Sequence, residues 1–168
     1  MRLPIEQISA RYAVRPLAEA DLPAILALCR GNPTYYEHMR LQPTLENLAE
    51  SMTALPPGKG PEDKSFLGCF WAGRRRAGLD LIAAYPDLET AFLGWFILDK
   101  AHQGAGNGTA LLAELLAFCK AHGFRYMRLG YIKGNPESER FWHRNRFAPT
   151  GVETGGGGYT VVVMQKKL

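Results

Sequence analysis

Three glycines in five positions stand directly before a leucine-rich run in DKAHQGAGNGTALLAELLAFCKAHG, residues 99–123. An apolar stretch ending at Leu98 and a helical pattern beginning near Gly108 enclose DKAHQGAGNG. The first unsatisfied N–H groups of that helix, and the positive end of its dipole, therefore face the tip of the preceding strand. A turn of this kind binds anions, phosphates above all. Glycine suits it twice over, since a Cβ would hold a bulky diphosphate away from the N–H groups and a tight turn draws on positive φ. Two other glycine-rich loops are excluded. A nucleotide-hydrolysing loop needs GxxxxGK[ST], and no Lys followed by Ser or Thr ends this turn. A dinucleotide fingerprint GxGxxG would use Gly104 and Gly106 but then meets Thr109, and it opens an amino-terminal βαβ unit rather than following a run of strands.

Asp80 is the second residue with chemical potential. In GLDLIAAYP it is a carboxylate flanked by leucines, and on a central strand it must either be paired or have a raised pKa. Near a hairpin end its side chain would instead lie in water. Glu137 and Glu139 fall in the first turn of a helix, where the dipole favours acidic residues without any further role. Cys29, Cys69 and Cys119 are widely spaced, form no CxxC or Cys/His pattern and sit among apolar residues, so they read as buried free thiols and no metal site is expected.

The elements that must position these residues follow from periodicity. YAVRPL, residues 12–17, alternates as a first strand, and Leu22, Ile25, Leu26 and Cys29 then recur at helical spacing, with Asp21 as cap and Pro23 in the first turn. A second helix over 44–55 is capped by Thr44 and stopped by PPGKG. SFLGCFWAG, AGLDLIAAYP and TAFLGWFIL are separated by spacings too short for a crossover helix, which predicts an antiparallel meander. Leu111, Leu112, Leu115, Phe118 and Cys119 then follow a helical period that ends at Gly123. RYMRLGYI reads as a strand, PESERFWHRN as a short helix and GYTVVVMQK as a final strand, with Gly155–Gly158 as a mobile loop before it.

The chain of 168 residues, 46% hydrophobic and 21% charged, is read as one soluble globular domain over 1–168. MRLPIEQISARYAV has no sustained apolar core of a signal peptide, and the other apolar runs are broken well short of a membrane span. A cytoplasmic location with no membrane partner is therefore expected. A net charge of +4 suits an anionic ligand but is too small to argue for nucleic acid. Arg74, Arg75 and Arg76, between Gly73 and Gly78, read as a solvated hairpin tip.

Gln103-Gly104-Ala105-Gly106-Asn107-Gly108 fits [Gln/Arg]-x-x-Gly-x-[Gly/Ala], and here the sequence resembles the GNAT superfamily of acyl-CoA-dependent N-acyltransferases. NPESERFWHRNRF, residues 135–147, is similar to that family's N-x-x-A-x-x-x-Y-x-x-x-G-F, with Ser138 for Ala, Trp142 for Tyr and Arg146 for Gly. The resemblance spans most of the chain. It implies an α+β fold, with a mixed, mostly antiparallel central sheet of about seven strands flanked by about four helices. It also implies acetyl-CoA as the cofactor, with Gln103, Gly104, Ala105, Gly106, Asn107, Gly108 and Thr109 wrapping the pyrophosphate. Leu98 and Asn135 would hold the pantetheine arm beside Phe141 and Trp142. Homodimers are common in the family.

The implied reaction is direct attack of an amine on the thioester, with the Leu98 main-chain N–H polarising the carbonyl. Members often place a Glu or His base on the strand before the turn, but Phe92, Gly94 and Phe96 carry no ionisable group, so Asp80 is the candidate base. The usual tyrosine acid is replaced by Trp142, whose indole cannot deliver a proton at neutral pH. Tyr131 is the substitute, while His143, one position on along the helix, should point about 100° away. A thiolate leaves readily even without an acid. Tyr35 and Tyr36, in NPTYYEHMR, with Trp95 as a wall, could bind a small-molecule primary amine, or else pack structurally. The alternative expectation is a non-catalytic acyl-CoA-binding sensor module, which Trp142 and the apolar 92/94/96 face would favour.

Overall fold

A computed structural model describes residues 1–39 and 41–168. One sheet of seven strands runs through it, in the order β1-β2-β3-β4-β5-β7-β6. The strands are β1 (Ala13–Pro16), β2 (Lys64–Trp71), β3 (Arg74–Ile82), β4 (Thr90–Leu98), β5 (Tyr126–Ile132), β6 (Ala148–Gly156) and β7 (Tyr159–Lys167). All neighbours are antiparallel except β4 and β5, which are parallel and joined by a helix. Five α-helices are present among the described residues: α1 (Leu22–Arg30), α2 (Pro33–Glu37), α3 (Leu45–Thr53), α4 (Asn107–Ala121) and α5 (Pro136–Arg144). This is the expected α+β architecture, with α2 as an extra short turn of helix between the two early ones. None of these helices is long and apolar enough to cross a membrane.

Alternation of side chains along each strand divides the apolar residues between two cores. Leu67, Leu79, Leu81, Met127 and Leu129 pack with Leu111, Leu112 and Leu115 of α4. Phe66 and Ile97, on the opposite face, pack with Ile25, Cys29, Tyr36 and Leu48 from the three early helices. β3 is buried without interruption from Ala77 to Ile82 because both of its faces are covered. Its apolar run therefore shows no clean alternation. The three cysteines are buried free thiols, as expected.

Three sequence expectations are corrected. Asp21 does not cap α1 with its side chain. Its carboxylate instead accepts two 2.9 Å bonds from Arg15, one from Arg75 at 3.1 Å and one from the Ala18 N–H at 2.8 Å. The Arg15 guanidinium, foremost among these, holds Asp21 well below the usual carboxylate range. Arg75 is correspondingly no solvated tip residue, nor is Arg76, whose guanidinium lies 3.3 Å from Asp99. The Gly155–Gly158 run is not a free loop: Gly155 and Gly156 end β6, and Gly157 and Gly158, at φ 66° and 91°, turn the chain tightly into β7. β6 itself escaped sequence reading because almost all of it is exposed, so neither face carries an apolar pattern.

The carboxyl end of α5 explains the Arg146 departure. Phe147 N–H bonds Trp142 O at 3.0 Å and Arg146 N–H bonds His143 O at 2.9 Å, the paired bonds of a Schellman cap. That cap places Arg146 in the left-handed region at φ 65°, where a side chain costs energy. Arg146 is exposed, and among the described residues its side chain makes no hydrogen bond or ion pair. Arg146→Gly is expected to stabilise the fold by about 1 kcal/mol, read as a higher urea midpoint at unchanged slope. An unchanged or lower midpoint would show that the strain is relieved elsewhere.

Candidate active site

β4 and β5 pair only from Thr90↔Tyr126 to Leu93↔Leu129. Beyond that point β4 stays with β3 and β5 stays with β7, and a wedge opens between the parallel strands. The parting coincides with a bulge: Asp80 pairs with Trp95 and Leu81 with Leu93, which leaves Gly94 as the extra residue. A bulge bends its strand and raises the local twist, here at the mouth of the wedge.

The polarity of the β4 end follows from register. Asp99 N–H donates to Arg76 O at 2.7 Å, so in the antiparallel β3–β4 pair the backbone groups of Asp99 and Ile97 point to β3. Those of Leu98 and Phe96 therefore point the other way, into the wedge. The Leu98 carbonyl is taken up by two side chains, Asn32 Nδ2 at 2.8 Å and Gln103 Nε2 at 3.0 Å. Gln103 Nε2 also donates to Asn32 Oδ1 at 2.6 Å, and Asn32 Nδ2 to Leu28 O at 3.0 Å. Buried Asn32 thus locks the end of α1, the tip of β4 and the glycine turn together. Sequence reading missed Asn32 because nothing local marks an asparagine whose partners lie 66 and 71 positions away.

In the turn itself, Gly104 and Gly106 adopt φ 83° and 78°, and a Cβ at either would meet nothing within 4 Å. Both expectations for bare backbone apply here: left-handed conformation and open space above it. Gly106 is the N-cap of α4 and no side chain caps this terminus among the described residues, so the first-turn N–H groups are free for a ligand. Asn107 turns inward instead, donating from Nδ2 to His102 O at 2.9 Å.

The wedge and the turn form one cleft of about 690 Å³. Its wall includes Phe96, Ile97, Leu98, Gln103, Gly104, Gly106, Gly108 and Thr109, with Asn135, Phe141 and Trp142 from the α5 side. Lys100 and Arg144 add positive charge and Glu137 a single negative one. Ala105 and Asn107 are not on this wall. Phe96 stacks on Phe141 at 6.2 Å and tilts against Trp142 at 6.0 Å, which fixes α5 against the open edge of β4. Asn135, buried, caps α5 by accepting the Ser138 N–H at 3.2 Å.

A second cavity, of about 260 Å³, lies on the side of the early helices and shares Tyr35 with the cleft. Tyr36, Phe66, Trp95, Lys64 and Asp80 line it. Asp80 is buried and accepts Lys64 Nζ at 2.7 Å, so it is not the solvated hairpin-end carboxylate. Desolvation raises its pKa above the ordinary carboxylate value, and Lys64 offsets only part of that rise. Its Oδ1 is buried with no hydrogen-bond partner among the described residues. Both outcomes expected for a carboxylate among leucines, pairing and a raised pKa, are realised together. Gly94 makes room for it: a Cβ there would stand 2.8 Å from Asp80 Oδ2.

The remaining candidates are placed as follows. Tyr36 donates its hydroxyl to Cys29 Sγ at 2.9 Å, within the early-helix core. Trp95 stacks on Phe66 at 5.1 Å. Tyr131 is buried on β5 and lines neither cavity, and burial pushes its phenol pKa upward. His143 is on the exposed face of α5, 4.0 Å from Glu139, as its helical phase predicted. Arg40, the last residue of the NPTYYEHMR connection, lies outside the described residues.

A family model described as the Acetyltransferase (GNAT) family matches residues 25–147. Nothing among curated proteins matches. Among solved structures, an acetyltransferase from Thermus thermophilus is 22% identical, with 94% of this chain and 97% of that chain covered at a TM-score of 0.74. A PaiA N-acetyltransferase from Thermoplasma acidophilum, solved in complex with coenzyme A, is 20% identical over 94% and 99% of the two chains, at a TM-score of 0.66. A ribosomal-protein-alanine N-acetyltransferase from Brucella melitensis is 21% identical over 92% and 99%, at a TM-score of 0.62. These likenesses are likenesses of fold, and they agree with the family match over the segment that carries the glycine turn, the wedge and α5. The chain belongs to the GNAT family of acetyltransferases.

Proposed function

We propose that this chain is an acetyl-CoA-dependent N-acetyltransferase that transfers the acyl group to the primary amine of a small molecule by direct attack. The observation that carries the reading is a single cleft in which an outward-facing Leu98 N–H meets an uncapped, glycine-lined helix N-terminus. Acetyl-CoA supplies an activated acyl group: the C–N bond to the amine forms, the thioester C–S bond breaks and coenzyme A leaves as its thiolate.

The chain's own residues have separable tasks in this reading. Main-chain N–H groups at the start of α4, opened by Gly104, Gly106 and Gly108, hold the pyrophosphate, and Thr109, Lys100 and Arg144 flank it. Ala105 and Gln103 contribute backbone, since the Gln103 side chain is engaged inward. Asn107 braces the turn. Asn135 Nδ2 and the β4 edge would hold the pantetheine arm, while Phe141 and Trp142 wall it from water. The Leu98 N–H donates to the thioester oxygen as negative charge develops there.

Asp80 is the proposed proton acceptor. Phe92, Gly94 and Phe96 of β4 offer no Glu or His, and the Asp80 carboxylate reaches across from β3 into the space that Gly94 leaves. Asp80 lies three residues along β3 from Ala77, the register partner of Leu98, which is roughly 10 Å at strand rise. The ammonium proton therefore passes to it through intervening water rather than directly. Tyr131 is not among the residues that line the cleft, and because a thiolate leaves readily the reading needs no acid on the leaving sulfur. A sensor that binds acyl-CoA without turnover remains the second reading, favoured by Trp142 in the cleft wall, and thiol release separates the two.

Gly106→Asp should abolish acetyl-CoA binding in calorimetric titration, through bulk and charge at the helix N-terminus, while circular dichroism reports a folded protein. Unchanged affinity would sink the pyrophosphate assignment. Asn32→Ala should lower kcat about tenfold and cost about 1–3 kcal/mol of stability, because the Leu98 carbonyl and Gln103 both lose a partner. For Asp80 the sign is set by its raised pKa. As pH falls through that value the carboxylate is protonated, so kcat/KM should fall on the acid side at a pH above the ordinary carboxylate range. Asp80→Asn should remove this limb and slow amine-dependent thiol release by about 10²-fold or more. A limb that persists in the variant would assign it to another group.

A further inference from the structure

The smaller cavity has a chemistry of its own. Tyr35, Tyr36, Phe66 and Trp95 line it together with Met39 and Leu48. Tyr36 presents ring rather than hydroxyl, since its O–H is directed at Cys29 Sγ. The stacked Phe66–Trp95 pair, with rings 5° from parallel, adds a flat apolar surface. Lys64 and Asp80 are the only charged residues among those described on this wall, and at 2.7 Å they neutralise each other. Among the described residues, an acceptor carrying a carboxylate, a phosphate or a second ammonium would have to surrender its hydration there with no counter-charge beyond an ion pair already closed. An uncharged apolar body would not.

Size narrows the class further. A space of about 260 Å³, well under half of the 690 Å³ cleft, suits a compact body rather than an extended chain. A six-membered ring with a two-atom arm and an amine is of that size. Because Tyr35 lines both cavities, a ligand seated in the smaller one can present its nitrogen at the boundary with the acyl-CoA cleft.

We infer that the acceptor is a primary monoamine with an uncharged, apolar, ring-sized body, held between α3 and the β3–β4 bulge with its nitrogen at Tyr35. This rests on the acetyltransferase reading and specifies its substrate class: arylalkylamines rather than amino acids, polyamines or amino sugars. The Lys64–Asp80 pair serves as a neutral polar floor, from which Asp80 takes up the proton that the amine releases.

The test is initial-rate thiol release at saturating acetyl-CoA with 2-phenylethylamine, phenylalanine, spermidine and glucosamine, alongside calorimetric titration of acetyl-CoA into the same preparation. The expected result is a kcat/KM for 2-phenylethylamine at least tenfold above each of the others. Phenylalanine differs from it by the α-carboxylate alone, so that comparison isolates the charge argument. Ser51→Phe, on the exposed side of α3 at the cavity wall, should raise the KM for 2-phenylethylamine at least tenfold with acetyl-CoA affinity unchanged. Ala54→Phe, also on that wall, is the second variant if the first does not fold. Equal or faster turnover of phenylalanine, spermidine or glucosamine, an unchanged KM in the folded variant, or acetyl-CoA binding with none of the amines acetylated would each overturn the inference while leaving the coenzyme site standing. Failure to bind acetyl-CoA would defeat both.

Discussion

The parting of two parallel strands governs this molecule. Through Leu93↔Leu129 the β4–β5 pair is an ordinary parallel ladder, and after Gly94 it is not. A sheet that stopped pairing in its middle would leave backbone donors and acceptors unsatisfied, at considerable cost if they were buried. Here the exposed edge is managed piece by piece. Asn32 and Gln103 take the Leu98 carbonyl, Phe96 packs under Phe141 and Trp142, and the outward N–H groups are left for a ligand. The cleft is thus an interruption built into a sheet, and the elements around it hold that interruption open.

The same strand serves two chambers because its residues alternate and shift across the bulge. Phe96 and Leu98 direct their side chains to the α4–α5 core and their backbone to the larger cleft, whereas Trp95 and Ile97 pack on the early-helix side. Gly94 lets the Asp80 carboxylate lie against β4 where any side chain would collide with it. Charge is distributed in keeping with this division. The cleft carries Lys100 and Arg144 against a single Glu137 near an uncapped helix N-terminus, and on the described wall of the smaller chamber the only charges are those of the paired Lys64 and Asp80. An anionic coenzyme and an apolar amine body would each meet a matching environment.

Legibility in the sequence tracked the range of the interaction. The meander, α1, α3 and α4 were readable because apolar spacing and local breakers mark them, and the turn at 103–108 was readable because backbone conformation selects glycine. β6 was not, because an exposed strand has no apolar period. Asp21 looked like a cap from its neighbours and proved to be an ion-pair hub with Arg75, 54 positions away. Arg146 stood out as a departure from the family pattern, and the Schellman cap at α5 shows that the backbone keeps the left-handed turn although the glycine is gone.

Family resemblance, the order of most elements and the glycine turn were all legible along the chain, since each is written in residues close together. Folding in three dimensions was needed to show how Asn32, Leu98 and Gln103 join, that Asp80 occupies the space above Gly94 with Lys64 beside it, and that Tyr131 does not line the cleft. Those outcomes depend on strand register and on which face each side chain takes. A one-residue bulge resets both, and no local spacing announces a bulge until the partner strand is laid beside it.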